Sequence, residues 1–517
     1  MTSLVLGVLS ALLLLAAYPL LNVTWLAWVA LVPLIHALVS VARLRRAWWL
    51  GYLHGFIFYL GLLHWLTHVT VAGYVLLAAY LACYHAAFAV GVAWLLRRTD
   101  GPLGHPLARL AWIPSWWVIL EWIRNHALSG FGWGLLAYTQ ASHPSLIQPA
   151  DLAGAYGVSW LIVLVNVTVG QLLRPQSLTR KVQAALVTGV VMLGVIGYGV
   201  WHLRAPATGE TLRVAVVQGN IPQEEKWDRA FQESILQRYE ALTREAATTS
   251  PDLIIWPETS FPGIYPVEAW VVDRTRALAQ AMHAPMLVGA PTTTPQLLDP
   301  SLWNSALLFG PTGERLARYD KLHLVPFGEF IPFERQFPAL RQLIVTGNFD
   351  PGHEATVFSL PQTDSELSTL NPQVRFSVLI CFEDVFPELS RRFTALGARL
   401  LIVITNDAWF GRTSAPHQHL QASIFRAVEC RVPVVRSANT GVSGFIDAHG
   451  RLTHLVADAA RNPLFIAGFA TGLVTPAHAG ATTLYRRWGD WWVGACAAMT
   501  ALIWLWGMIF LRRVRTR

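Results

Sequence analysis

Long apolar runs dominate the first two hundred residues and limit what this chain can fold into. A bilayer core about 30 Å thick is crossed by roughly 20 apolar residues in a helix. Seven runs approach that length, at about 3–20, 23–41, 48–66, 71–96, 107–123, 158–173 and 183–203, and an eighth covers about 490–511. The pattern predicts an α-helical membrane bundle of about eight transmembrane helices. The fifth run is the most polar, with Glu121 and Arg124 at its end, and the Gly-, Trp- and His-rich segment from Asn125 to Gly157 reads as a re-entrant or surface loop. The first twenty residues have no basic n-region and another apolar run follows almost at once, so they read as a retained helix rather than a cleaved signal. Composition agrees: only 14% of residues are charged, against about 25% in globular domains.

The positive charges mark a topology. Formal net charge is +8, and much of the excess lies in short clusters beside the apolar runs: Arg43, Arg45 and Arg46; Arg97 and Arg98; Arg174, Arg180 and Lys181; Arg512, Arg513, Arg515 and Arg517. This serves membrane orientation better than nucleic-acid binding, which is not expected. With a cytoplasmic N-terminus, the loops at 42–47, 97–106 and 174–182 and the basic tail at 512–517 all fall inside. Residues 204–489 then fall outside, in the periplasm of a bacterial inner membrane. Arg486 and Arg487 are the one dissent, and long translocated domains weigh little in this rule.

After Arg204 the composition changes abruptly. Residues 1–203 and 490–511 are assigned to the membrane and 204–489 to one water-facing α/β domain. Within it, β-rich runs at 212–220, 252–259, 284–292, 303–310, 374–384, 399–407 and 432–450 alternate with helical patterns at 231–247, 270–283 and 419–431. A Pro/Thr/Ser stretch near 361–373 is the one low-complexity segment.

Three segments place reactive side chains in or after apolar runs. In Leu253-Ile254-Ile255-Trp256-Pro257-Glu258 a carboxylate follows three aliphatics and a Trp, where partial desolvation makes it a better proton acceptor; a loop-capping acid is the plainer alternative. In Ser377-Val378-Leu379-Ile380-Cys381-Phe382-Glu383-Asp384 a thiol stands at a strand end before a turn, as a nucleophile or as an inert core cysteine. The two acids that follow it are unusual company for filler. In Lys321-Leu322-His323-Leu324-Val325-Pro326-Phe327-Gly328-Glu329 a lysine enters an apolar stretch, where a partly buried ammonium near a carboxylate can stabilise an oxyanion. Glu329 could partner or position it, and Glu383 could support the same group. Cys83, Cys381, Cys430 and Cys496 show neither CxxC spacing nor a zinc pattern. His417 and His419 lack nearby carboxylates, so no metal or other cofactor is expected.

In this order and with these flanks, the three segments resemble the nitrilase superfamily, whose members carry a Glu–Lys–Cys triad on an α-β-β-α sandwich. TNDAWFG at 405–411 and RSANTGVSGFIDAHG at 436–450 strengthen the likeness. A nitrilase-like domain set between seven helices and one resembles, over the full chain, the apolipoprotein N-acyltransferase family. QGNIPQEEKW (218–227), WPETSFP (256–262), KLHLVPFGEFIP (321–332), CFED (381–384), NDAWFG (406–411) and PHQH (416–419) all look like that family's motifs.

The resemblance implies Glu258 as general base, Cys381 as nucleophile and Lys321 as stabiliser of the tetrahedral oxyanion, in a ping-pong reaction. The donor would be a membrane phospholipid, typically phosphatidylethanolamine, and the acceptor the α-amine of an apolipoprotein's diacylglyceryl-cysteine. Each buried CH₂ is worth about 0.8 kcal/mol, so a long acyl chain needs an apolar route to the thiol. Trp227 and the aromatic loops at 261–266 and 326–333 are candidates for that route, or for interfacial anchoring. Asn406 and Asp407 are expected to brace the triad. A membrane-anchored carbon–nitrogen hydrolase, with water attacking the thioester, is the alternative function. A transporter is disfavoured because the helical runs carry few ionisable residues.

Overall fold

The computed structural model describes residues 1–98, 101–204, 209–294, 301–331, 336, 349–361 and 374–515, with the side chains at 101–102 and 510–515 excepted. Most of the Pro/Thr/Ser stretch, residues 332–333 of the second aromatic loop, and Arg517 lie outside the described residues. So do the side chains of Arg512, Arg513 and Arg515. The chain forms two compact units. One comprises Met1–Ala205, Thr413–Gln421 and Thr483–Arg517, the other Pro206–Arg412 and Ala422–Thr482.

The first unit is helical. Among the described residues four helices are long and apolar enough to cross a membrane: Val71–Leu96, Ala150–Leu172, Leu178–Leu203 and Trp491–Ile509. The other four apolar runs fold differently from a uniform spanning pattern. The run at 3–20 yields a helix of 15 residues, Thr2–Ala16. The run at 23–41 breaks into a 3-10 turn, Thr24–Trp28, and a short helix, Val32–Val39. Pro33 lies in the first turn of that helix, where its missing N–H is tolerated but cannot continue a preceding turn. Leu44–Leu62 opens on two arginines, and Pro106–His126 carries Arg109, Glu121 and Arg124.

Asn125–Gly157 is not a surface loop. Trp133 and the stretch from Leu135 to Ala141 are buried, and their backbone is satisfied from within the unit. Leu136 N–H donates to Glu121 Oε1 at 2.8 Å, Ala137 N–H to Ser159 Oγ at 3.0 Å, and Leu135 C=O accepts from Tyr18 Oη at 3.0 Å. The helix of the sixth run also starts earlier than its apolar run, at Ala150, by kinking at Gly154 (φ +66°). A Cβ there would lie 2.5 Å from the Tyr485 ring, so glycine serves both the backbone angle and the close approach.

The second unit contains two six-stranded sheets. Its strands are β1 (Leu212–Gln218), β2 (Leu253–Ile255), β3 (Met286–Thr293), β4 (Leu302–Phe309), β5 (Arg315–Asp320), β6 (Phe358–Ser359), β7 (Arg375–Ile380), β8 (Leu400–Thr405), β9 (Val434–Ala438), β10 (Gly444–Ile446), β11 (Leu452–Leu455) and β12 (Gly468–Val474). The orders are β12-β1-β2-β3-β4-β5 and β11-β10-β9-β8-β7-β6. Each sheet has three parallel central strands, β1-β2-β3 and β7-β8-β9, flanked by antiparallel ones. Parallel strands covered on both faces need continuous apolar sequence, and LIVI-type runs such as β8, buried at every position, supply it. The sheets face each other: Ser437 Oγ on β9 donates to the carbonyls of Val217 on β1 and Ile255 on β2, at 3.1 and 3.2 Å. On the far side of the first sheet, helices Gln232–Ala247 and Ala269–Met282 bury Ile235, Leu236, Tyr239, Val271 and Leu278 against Ile254, Trp256, Met286 and Val288. The result is a nitrilase-like sandwich whose parallel strands all deliver their carboxyl ends to one edge, where α/β sheets characteristically hold their ligands.

Candidate active site

Glu258 follows β2 by way of Trp256 and Pro257. Trp256 anchors the strand exit: it is fully buried, its Nε1 donates to Thr243 Oγ1 at 2.8 Å, and its ring stacks on Tyr239 with centroids 4.8 Å apart. Gly289 on β3 makes room for the chain to turn, since a Cβ there would lie 2.3 Å from the Pro257 carbonyl. Glu258 emerges buried, with both carboxylate oxygens fixed. Oε1 accepts from Asn304 Nδ2 at 2.8 Å and Oε2 from the Asn406 main-chain N–H at 2.7 Å. Its remaining lone pairs therefore point in set directions. Lys226 Nζ donates to its main-chain carbonyl at 2.9 Å.

Lys321 leaves the end of β5, its N–H bonded to the Asn304 carbonyl at 2.9 Å. The side chain is buried and Nζ lies 2.7 Å from Glu329 Oε2, 2.9 Å from Glu329 Oε1 and 3.9 Å from Glu258 Oε1. Glu329 is held in turn by Val325 N–H at 2.8 Å and by Asn304 Nδ2 at 2.9 Å. Burial alone would push the Lys321 ammonium down, but the carboxylates of Glu329 and Glu258 outweigh it and hold the group above the ordinary lysine range. It is a fixed positive charge.

Cys381 follows β7 directly and opens the 3-10 turn Cys381–Val385 with φ at +53°, a left-handed backbone uncommon for a non-glycine residue. Glu383 makes that turn possible. Its carboxylate accepts from Ile380 N–H at 2.7 Å on the cysteine side and from Leu322 N–H, His323 N–H and Tyr319 Oη, at 2.7, 3.1 and 2.7 Å, on the lysine side. Its partners are thus three backbone N–H groups and the Tyr319 hydroxyl, not Lys321 itself. Burial pushes Glu383 up to about 7 despite these donors. Cys381 retains some exposed surface, yet the protein around its thiol, together with the Glu258 and Asp407 charges, pushes the thiol well up while Lys321 pulls it down. With the thiol held up in this way, a reaction that needs thiolate needs a local proton acceptor.

The site thus gathers Glu258, Lys321 and Glu329 in direct contact, with Cys381 within their electrostatic reach and Glu383 tying the cysteine turn to the lysine segment. Asn406 reaches the group through its main-chain N–H. Asp407 stands behind, buried 3.9 Å from Arg436, which is itself bonded to Asp384 at 2.9 Å. Trp227 and Phe327 are both half exposed, at 49%. The loop at 261–266 is different: Phe261 and Tyr265 are buried in the core of the first sheet and do not offer a route to a lipid. Two residues escape sequence reasoning. Asn304, which bridges both carboxylates, is signalled only by a polar Asn-Ser pair inside the apolar β4 run. Lys226 sits beside Trp227 in a charged stretch that reads as solvated, yet the lysine is the buried one. Among the described residues no cluster of three His, Cys, Asp or Glu side chains offers a metal site.

Residues 10–168 match the family profile of the apolipoprotein N-acyltransferase N-terminal domain, and residues 213–477 match that of the carbon–nitrogen hydrolases. A protein of Geobacter metallireducens named apolipoprotein N-acyltransferase is 37% identical over 514 residues, covering 96% of this chain and 94% of its own. Another so named, from Bdellovibrio bacteriovorus, is 30% identical over 505 residues, covering 91% and 87%. Among solved structures, a nitrilase-superfamily protein of Saccharomyces cerevisiae is 18% identical, with a TM-score of 0.39 over 53% of this chain and 93% of that one.

Proposed function

Because the chain belongs to the apolipoprotein N-acyltransferase family, we propose that it moves an acyl chain from a membrane phospholipid, through a thioester on Cys381, to the N-terminal amine of an apolipoprotein's diacylglyceryl-cysteine. Phosphatidylethanolamine is the proposed donor. Glu258 takes the proton from the Cys381 thiol as sulfur attacks the ester carbonyl. Lys321, held charged by Glu329, faces the oxyanion that forms. Collapse breaks the ester C–O bond, and the lysophospholipid leaves with the proton returned from Glu258. The acceptor amine then attacks the thioester, loses its proton to Glu258, and regenerates the thiol, a ping-pong cycle. Glu383 supports by shaping the cysteine turn, and Trp227 contacts the acyl chain. We further place the reaction in a bacterial inner membrane, with about eight helices in 1–203 and 490–511 and the catalytic domain, 204–489, on the periplasmic side.

One observation carries this reading: a cysteine on a left-handed turn within electrostatic reach of a carboxylate whose two oxygens are already fixed and of an ammonium 3.9 Å from that carboxylate. The test is intact-mass analysis after mixing purified protein with phosphatidylethanolamine. The expected result is one acyl adduct, removed by hydroxylamine and absent from Cys381→Ala. No adduct in the wild type sinks the covalent mechanism, and release of free fatty acid without acylation of an added apolipoprotein would point to a hydrolase.

A further inference from the structure

Lys226 is a buried ammonium outside the three residues of the proposed triad. In Glu225-Lys226-Trp227 the usual arrangement is inverted: the lysine is buried and the tryptophan half exposed. Nζ donates to the Glu258 carbonyl at 2.9 Å, and among the described residues no carboxylate lies within ion-pair distance of it. Burying an uncompensated ammonium is unfavourable, and such violations of ordinary packing rules gather at functional sites. The loop that carries it is fastened at further points. Ile221 N–H donates to Asn439 Oδ1 at 2.9 Å, and Gln223 Oε1 accepts from Asn406 Nδ2 at 2.8 Å. Asn406 is the residue whose N–H holds Glu258 Oε2. The loop before Trp227 is therefore bound to Glu258 twice, directly through Lys226 and indirectly through Asn406.

We propose that Lys226 is a positioning residue for acyl transfer: it fixes the Glu258 main chain to the Trp227 loop and adds a second positive charge beside the carboxylate and thiol. The proposal rests on the reaction given above. Lys226 donates no proton in it; the thiol proton still passes to Glu258. Burial brings Lys226 down to about 7, against the titratable groups it faces, the Glu258 carboxylate and the Cys381 sulfur, which favour its charged form. Its charge is therefore lost as pH rises through neutrality.

The test follows single-turnover thioester formation from phosphatidylethanolamine in detergent micelles, across pH, in the wild type, Lys226→Met and Lys226→Arg. Removing a group that orients a reacting one costs about 10- to 100-fold. Lys226→Met should lose that much in maximal rate with the half-saturating lipid concentration unchanged. The gap from the wild type should narrow as pH rises through about 7. Lys226→Arg, whose guanidinium stays charged, should keep most of the rate and lose the step near neutrality. A wild-type rate in Lys226→Met at every pH overturns the proposal, and so does a loss expressed only as weaker lipid saturation. If Lys226→Met shows no cooperative thermal transition, Lys226→Arg decides: retention of the wild-type pH step overturns the role. A wild type that forms no thioester refutes the reaction itself, whereas a thioester indifferent to Lys226 refutes this inference alone.

Discussion

Lys321 and Glu258 act on the Cys381 thiol in opposite senses, Glu258 raising its pKa and Lys321 lowering it. That opposition separates nucleophile reactivity from turnover. Alkylation by iodoacetamide reads only the thiolate fraction, whereas acyl transfer also needs the proton acceptor. Glu258→Gln removes the charge that disfavours thiolate, so Cys381 should alkylate faster at neutral pH while thioester formation from phospholipid is abolished. Lys321→Met removes the favourable charge, and alkylation should slow by about tenfold, the factor for each 1.4 kcal/mol of lost interaction. Rates of carbamidomethylation at Cys381, followed by peptide mass spectrometry, check both. Slower alkylation in Glu258→Gln would mean that the carboxylate does not oppose thiolate formation.

At the scale of elements, Glu383 joins the exit of β7 to the exit of β5 by accepting from Ile380 on one side and Leu322 and His323 on the other. Its carboxyl ordinarily titrates near 4.5 and is pushed to about 7 by burial in the fold. The folded state therefore holds an extra proton between those values. The corresponding stabilisation is complete below the lower value and disappears as pH rises through the higher one. The thermal midpoint of the purified protein should fall from about pH 5 to about pH 8. Glu383→Gln should be less stable throughout, because an amide N–H₂ meets donors, but should lose that part of the slope. An unaltered slope in the variant would assign the pH dependence to other groups. The sequence makes this neighbourhood legible only in part. Glu258, Lys321 and Cys381 announce themselves because each ends or enters an apolar run, and β2, β7 and β8 are readable for the same reason. β5 and β12 are not: RLARYD is half exposed and GFATGLV holds two glycines. β12 exists by pairing antiparallel with β1, from Leu212↔Val474 to Gln218↔Gly468, a partner some 250 residues away that no local pattern reveals. Asn304 and the Asn406 N–H belong to the same class, since their role depends on which strand ends meet.

For the whole molecule, the proposed orientation depends on some helices more than others. Thr2–Ala16 is about 22 Å long at 1.5 Å per residue, short of the roughly 30 Å bilayer core, and the next apolar run is broken. Yet these two act as a pair: whether both cross or both turn back, the arginines at 43, 45 and 46 return to the side on which the chain began. The charge pattern is more demanding further on. If Val71–Leu96 crosses, Arg97 and Arg98 share a side with Arg43 only if Leu44–Leu62 crosses too. If Ala150–Leu172 crosses, Arg180 and Lys181 share it only if Pro106–His126 crosses as well. Pro106–His126 is the exacting case, because Glu121 and Arg124 are buried within it. A charge at a bilayer centre costs about 2.5–3.5 kcal/mol, and their place in the last turns of the helix keeps them from the middle. Reporter fusions after Arg98 and after Arg180 should therefore both read cytoplasmic, and one after Thr312, in the turn between β4 and β5, should read periplasmic. Opposite readings at Arg98 and Arg180 would remove Pro106–His126 from the spanning set. A cytoplasmic reading at Thr312 would reverse the catalytic domain and separate it from an acceptor lipoprotein on the outer face.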